Sequence, residues 1–142
     1  MRLLLVEDDA PAAELTLHAL QAAGLACICD RVTSEVEFRA ALAHLPDLVL
    51  SDSNVPGFDG MAALAIVKAE RPAVPVLFFS GHMDQIAVRR ALESGAAGYV
   101  PKAELPRLPG AVRLALADGR AAVRRASDRV GPRADGGDSA EY

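Results

Sequence analysis

The stretch "LVLSDSNVPGFDG" (residues 48–60) decides how the rest of the chain is read. A short apolar run ends on a carboxylate, Asp52, and the chain then turns through Pro56 and Gly57. A continuous apolar run fits a strand buried on both faces, as in a parallel sheet. An ionisable group at the tip of such a strand needs a reason. Working outward, similar runs recur at "RLLLV" (2–6), "LACIC" (25–29), "VPVLFF" (74–79) and "GYV" (98–100). Between them lie segments with helical spacing at 11–23, 34–45, 60–70 and 84–94, and a last one from about 108. Ser34 with Glu37 has capping-box spacing, Asp59 stands where an N-cap would, and Pro109 suits a first helical turn. Phe38, Leu42 and Leu45 mark one face of the second helical segment. Strand then helix, repeated five times, predicts an α/β fold: a doubly wound five-stranded parallel sheet with helices on both faces.

The 142 residues make one domain, with 51% hydrophobic and 24% charged residues, ordinary for a globular protein. No apolar run approaches the roughly 20 residues that span a bilayer, and "MRLLLVEDD" reaches charge too soon for a signal peptide. A cytoplasmic location with no membrane partner is therefore expected. The net charge of −4 argues against general nucleic-acid binding, although arginines crowd the stretch from Arg107 onward. Cys27 and Cys29 lack further ligands at metal spacing and read as reduced thiols.

In such a sheet, ligands bind outside the carboxyl ends of the strands. The first strand delivers Glu7, Asp8 and Asp9 there, the third Asp52 and then Asn54, the fourth Ser80 and the fifth Lys102. If the first and third strands are neighbours, Glu7, Asp8 and Asp52 converge. Unpaired, these carboxylates would raise one another's pKa. A bound Mg²⁺ would remove the conflict, and a lysine and a hydroxyl opposite would complete a pocket for a phosphoryl group. Each residue alone is ordinary. Four strand ends supplying complementary groups are not.

The motifs "LLVEDD", "LVLSDSNVPGFDG", "PVLFFSG" and "AAGYVPK", in this order and spacing, resemble a bacterial two-component response-regulator receiver domain over about residues 1–120. The resemblance implies a flavodoxin-like strand order of 2-1-3-4-5. It also implies that Asp52 accepts a phosphoryl group from a sensor histidine kinase or phosphotransfer protein. Asp8 would bind Mg²⁺ directly, Glu7 would assist, and the backbone carbonyl of Asn54 would add a ligand. Lys102 would pair with Asp52 or its phosphate. Ser80 would swing onto a phosphoryl oxygen with Tyr99 moving inward behind it, a shift read on the face of the fourth helix, fifth strand and fifth helix. Such a domain catalyses its own phosphoryl transfer and autodephosphorylation without being a dedicated enzyme.

The sequence departs from the common pattern in places. Ser51 and Ser53 flank Asp52, His82 stands two past Ser80, and Ala103 follows Lys102 where a proline is frequent. His82, with Asn54, is a candidate for tuning water access and so the lifetime of the phosphorylated form, and Ser53 is a further candidate for tuning the site. The last two dozen residues are too few for a helix-turn-helix, so a stand-alone receiver or a fragment of a longer chain is expected, acting through a downstream protein. Gly119 is expected to end the last helix as a C-cap, with 121–142 a basic helical extension and a tail disordered from 127. The alternative is a helix running past Gly119, with Val112, Leu116, Gly119, Val123, Ala126 and Val130 as a dimer seam. Two other functions compete: a non-phosphorylated pseudo-receiver that only binds partners, and a phosphohydrolase of the haloacid-dehalogenase type. The latter wants a second Asp two past the nucleophile, where Asn54 stands.

Overall fold

The structure is a computed structural model and describes residues 1–130. Five parallel strands form the main sheet: β1 (Arg2–Val6), β2 (Ile28–Val32), β3 (Leu48–Ser51), β6 (Val76–Ser80) and β7 (Gly98–Pro101). Between them, β4 (Asn54–Val55) and β5 (Phe58–Asp59) make a small antiparallel hairpin. Gly57 takes φ +80° there, as the second central position of a type II turn after proline requires. The main sheet runs β2-β1-β3-β6-β7, which is the expected 2-1-3-4-5 once the hairpin strands are left out of the count.

Helices α1 (Ala10–Ala22), α2 (Glu35–Leu42), α3 (Gly60–Glu70), α4 (Gln85–Glu93) and α5 (Leu108–Val130) cover both faces. Alternate strand residues separate two cores. Leu3, Leu5, Leu48, Leu50, Leu77 and Phe79 pack with residues of α1 and α5. Leu4, Val6, Val49, Val76 and Phe78 pack with residues of α2, α3 and α4. β3, at the centre, is buried along its whole length, so the backbone ahead of Asp52 is fixed from both sides. Asp59 Oδ1 accepts from the Met61 N–H and Ser34 Oγ from that of Glu37, but the return half of the expected capping box is shifted by one residue, Glu37 Oε1 accepting from the Thr33 N–H.

Four expectations need correction. The second strand is Ile28–Val32, not 25–29. It is an edge strand, paired with β1 from Arg2↔Ile28 to Val6↔Val32, and needs no apolar run; Leu25 and Cys27 pack on the α1–α5 side instead. The second helix stops at Leu42, and Leu45 is exposed with φ +57° just before Pro46, where the chain turns toward β3. Gly119 does not end α5, which continues to Val130. A Cβ at Gly119 would meet Cδ of Pro75 at 3.0 Å, so this glycine serves a close approach of the helix to the loop before β6. For the same reason the tail expected to be disordered from 127 begins as helix over 127–130; residues 131–142 lie outside the described ones.

Within the proposed dimer seam, Val112 is fully buried in the domain's own core and Leu116 packs against it. Val123, Ala126 and Val130 lie where only the helical backbone is described. No described peptide bond is cis, so Lys102–Ala103 is trans. Among the described residues, no helix is long and apolar enough to cross a membrane.

Candidate functional site

Strand register brings the site together. Val6 pairs with Ser51, so Glu7 and Asp52 leave neighbouring strands at the same level. Ser80 pairs with Pro101, so Lys102 emerges beside the end of β6 and opens a 3-10 segment, Lys102–Arg107. Glu7 is 2% exposed, Asp52 9% and Ser80 0%, while Asp8 faces solvent. One carboxylate oxygen each from Glu7, Asp8 and Asp52 lie within 4.8 Å of one another.

The two oxygens of Asp52 have different partners. Oδ2 accepts from Lys102 Nζ at 2.9 Å, and the same ammonium contacts Glu7 Oε1 at 2.5 Å. Oδ1 accepts from the Asn54 N–H at 3.0 Å and from Ser80 Oγ at 3.1 Å. Ser80 Oγ in turn lies 2.7 Å from Ser53 Oγ. On the other side, Ser51 Oγ donates to the backbone carbonyl of Asp52 at 3.0 Å. Both flanking serines are thus tied to the site, one through the backbone and one through Ser80.

These contacts set the charge states. Burial alone would push the Asp52 carboxyl up, but the hydrogen bonds from Lys102, Asn54 and Ser80, with the lysine's charge, hold it below the usual carboxylate range. Burial works to lower Lys102, and the Glu7 and Asp52 carboxylates overcome it, so the ammonium is held above its ordinary value. Mutual repulsion therefore does not raise Asp52 as expected from three unpaired acids, because Lys102 bridges two of them. One ammonium still faces three carboxylates, and the donor set is all hard oxygen with solvent access at Asp8. That fits a divalent cation that keeps several waters, as Mg²⁺ does.

Two further residues line the surroundings. Tyr99 pairs with Phe78, so it is on the sheet face that also carries Ser80, one step back from the edge, and is half-buried. His82 is exposed and borders a cavity of about 340 Å³ shared with Ser53, Asn54, Asp59 and Phe78. Arg31 was not among the expected site residues. Its Nη1 donates to the carbonyl of Glu7 at 2.9 Å, while the Asp9 N–H donates to Glu7 Oε2 at 3.2 Å, so the acidic loop after β1 is held from two sides. Placing β2 three residues later, at 28–32, would have brought Arg31 to this edge.

Fold and site together define a class: a doubly wound α/β domain with an acidic, lysine-bridged pocket at the carboxyl edge of its sheet. Residues 3–113 match the response regulator receiver domain family, and the chain belongs to it. Among curated proteins, it is 37% identical over 98 residues to the DNA-binding transcriptional regulator NtrC of Klebsiella pneumoniae, covering 69% of this chain and 21% of that one. It is 36% identical over 141 residues to the transcriptional regulatory protein CseB of Streptomyces coelicolor, covering 97% of this chain and 56% of the relative. The chain thus spans about a fifth of the one relative and just over half of the other. The crystal structure of a response regulator receiver domain protein from Clostridium thermocellum superposes with a TM-score of 0.75. It is 22% identical, over 85% of this chain and 98% of that one, a likeness of fold.

Proposed function

We propose that the chain is a phosphorylation-dependent signalling switch in a two-component phosphorelay, with Asp52 as the phosphoryl acceptor. The observation that carries this reading is the division of labour at Asp52: an ammonium on one carboxylate oxygen, a hydroxyl and a backbone N–H on the other. Held low, the carboxyl is ionised at neutral pH and ready to act as a nucleophile. A carboxylate oxygen attacks the phosphorus of a phosphohistidine on a sensor kinase or phosphotransfer protein. The P–O bond forms as the P–N bond breaks, and its electron pair leaves with the imidazole.

Lys102 then offsets the added negative charge, and Ser80 donates to a phosphoryl oxygen, a charge-assisted contact of about 1.5–3 kcal/mol. At about 1.4 kcal/mol per factor of ten, 3 kcal/mol biases a two-state equilibrium roughly a hundredfold. Tyr99, on the same sheet face as Ser80, follows that shift and alters the surface of α4, β7 and α5. A magnesium ion held by Glu7, Asp8, Asp52 and the Asn54 carbonyl would draw charge from the transferring phosphoryl group. Hydrolysis by water at phosphorus returns the Asp52 carboxylate and inorganic phosphate, and His82 borders the cavity beside that route.

The receiver unit is taken as residues 1–120, working in the cytoplasm and answering to a protein partner or a second copy docked on the α4–β7–α5 face or the extended α5. Incubation with acetyl phosphate and Mg²⁺, followed by intact-mass analysis, tests the reading. One phosphoryl adduct is expected, lost in Asp52→Asn and on chelation of the metal. No adduct from either acetyl phosphate or a phosphohistidine donor would favour a module that only binds partners.

A further inference from the structure

We propose that Ser53 is a positioning residue of the switch: its hydroxyl holds Ser80 against Asp52 before any phosphoryl group arrives. The inference rests on the reading of Asp52 as acceptor and of Ser80 as the group that binds the phosphoryl oxygen. Ser80 Oγ is fully buried and carries one proton, which it donates to Asp52 Oδ1 at 3.1 Å. The 2.7 Å contact between the two serine hydroxyls must therefore use the Ser53 proton, with Ser80 Oγ accepting. The result is a directed chain, Ser53 to Ser80 to the Asp52 carboxylate.

Two consequences follow from elementary chemistry. A serine side chain has three staggered wells, and accepting from Ser53 while donating to Asp52 selects one of them. A hydroxyl that accepts a hydrogen bond is also polarised into a better donor, by about 10–30% per bond in such chains. Ser80 is thus held beside the Asp52 carboxylate, from which it has only to turn its proton to an arriving phosphoryl oxygen.

The position of Ser53 is itself fixed. The Gly60 N–H lies 3.5 Å from the Ser53 carbonyl, and a Cβ at Gly60 would come within 2.9 Å of the Ser53 Cα, so the start of α3 packs directly on this residue. Ser53 also borders the cavity of about 340 Å³. An apolar residue at this position would leave the buried Ser80 oxygen without its donor.

The test combines two readouts on wild type, Ser53→Ala, Ser53→Thr, Ser80→Ala and the Ser53→Ala/Ser80→Ala pair. First, the rate of phosphoryl uptake from acetyl phosphate with Mg²⁺ is followed by intact mass. Ser53→Ala is expected to be about two- to tenfold slower, the loss of one hydrogen bond. Ser53→Thr, which keeps the hydroxyl, should return to within about twofold of wild type by the same measure. In the Ser80→Ala background, Ser53→Ala should change nothing further. Second, the Hα–Hβ couplings of Ser80 in the unphosphorylated protein should report one rotamer in wild type and averaging in Ser53→Ala. Equal uptake by wild type and Ser53→Ala, or a loss that persists without the Ser80 hydroxyl, overturns the proposal. So does an averaged Ser80 in wild type. A wild type that takes up no phosphoryl group yet shows a fixed Ser80 rotamer, released in Ser53→Ala, would sink the acceptor reading while leaving the relay standing.

Discussion

At the scale of single residues, Lys102 bears on stability because its one ammonium bridges the Glu7 and Asp52 carboxylates. Lys102→Ala leaves two nearly buried carboxylates side by side, and urea denaturation at neutral pH should show a loss of about 1–3 kcal/mol, discounted for the lysine's partial exposure. An unchanged midpoint would mean that the pair is neutralised by something else. The pH dependence follows from the directions of the two shifts. Asp52 has its pKa depressed on folding, so it contributes stability above its unfolded value, and that contribution disappears as the pH falls below about 4. Lys102 has its pKa raised, so its contribution is complete below the ordinary value of 10.5 and is lost as the pH climbs past it. Asp52→Asn should accordingly flatten the acid limb of the stability profile and leave its shape between pH 5 and 8 nearly unchanged, by denaturation across the range. Away from the site, burial, the nearby Cys27 and Asp30 push the Cys29 thiol up to about 11. Its alkylation by iodoacetamide should be slow at pH 8, rise steeply toward that value, and speed up on unfolding; a fast native reaction at pH 8 would contradict the burial argument.

At the scale of elements, two glycines show how helices are set against the sheet. A Cβ at Gly60 would sit 2.7 Å from Phe78 Cε1 and 2.9 Å from the Ser53 backbone, which cannot withdraw without moving the residue after Asp52. Gly60→Ala is expected to cost about 1–3 kcal/mol by thermal or urea unfolding and to slow phosphoryl uptake; a neutral result would show that α3 can shift freely. Gly119 has the same kind of role at the other end of the molecule, against Pro75, and this explains why reading it as a helix stop failed. A glycine chosen for close approach and one chosen for a left-handed cap are identical letters, and only the neighbour distinguishes them. The sequence was most legible where burial is two-sided: β1, β3 and β6 carry continuous apolar runs, and their ends place Glu7, Asp52 and Ser80 without further information. It was least legible at the edge. β2 exposes Ile28 and pairs on one side only, so its strand shows no apolar run and the nearby "LACIC" drew the assignment away, and Arg31 with it. The hydroxyl chain through Ser53 was also beyond sequence reasoning, since it depends on the hairpin and α3 setting that residue against β6.

At the scale of the whole molecule, a metal ion held by the cluster of three acids would couple its binding to fold stability. If Mg²⁺ binds the native site alone, a concentration a hundred times its dissociation constant should stabilise the protein by about 2.7 kcal/mol. The melting temperature should rise with Mg²⁺ in wild type and much less in Asp8→Asn, whose carboxylate faces solvent and carries no packing burden; equal rises would place the metal elsewhere. The sheet buries β3 at its centre and places Asp52 at its carboxyl edge, in contact with the Ser80 hydroxyl and the Lys102 ammonium. On the proposed function, the phosphoryl group is expected on Asp52 and nowhere else. An acyl phosphate is reduced by borohydride to the alcohol, which turns an aspartyl phosphate into homoserine in the peptide chain. Peptide mapping of the borohydride-treated, acetyl-phosphate-treated protein should find homoserine at position 52 alone. Homoserine at Asp8 or another acid, or a phosphorylated protein with none at 52, would contradict it.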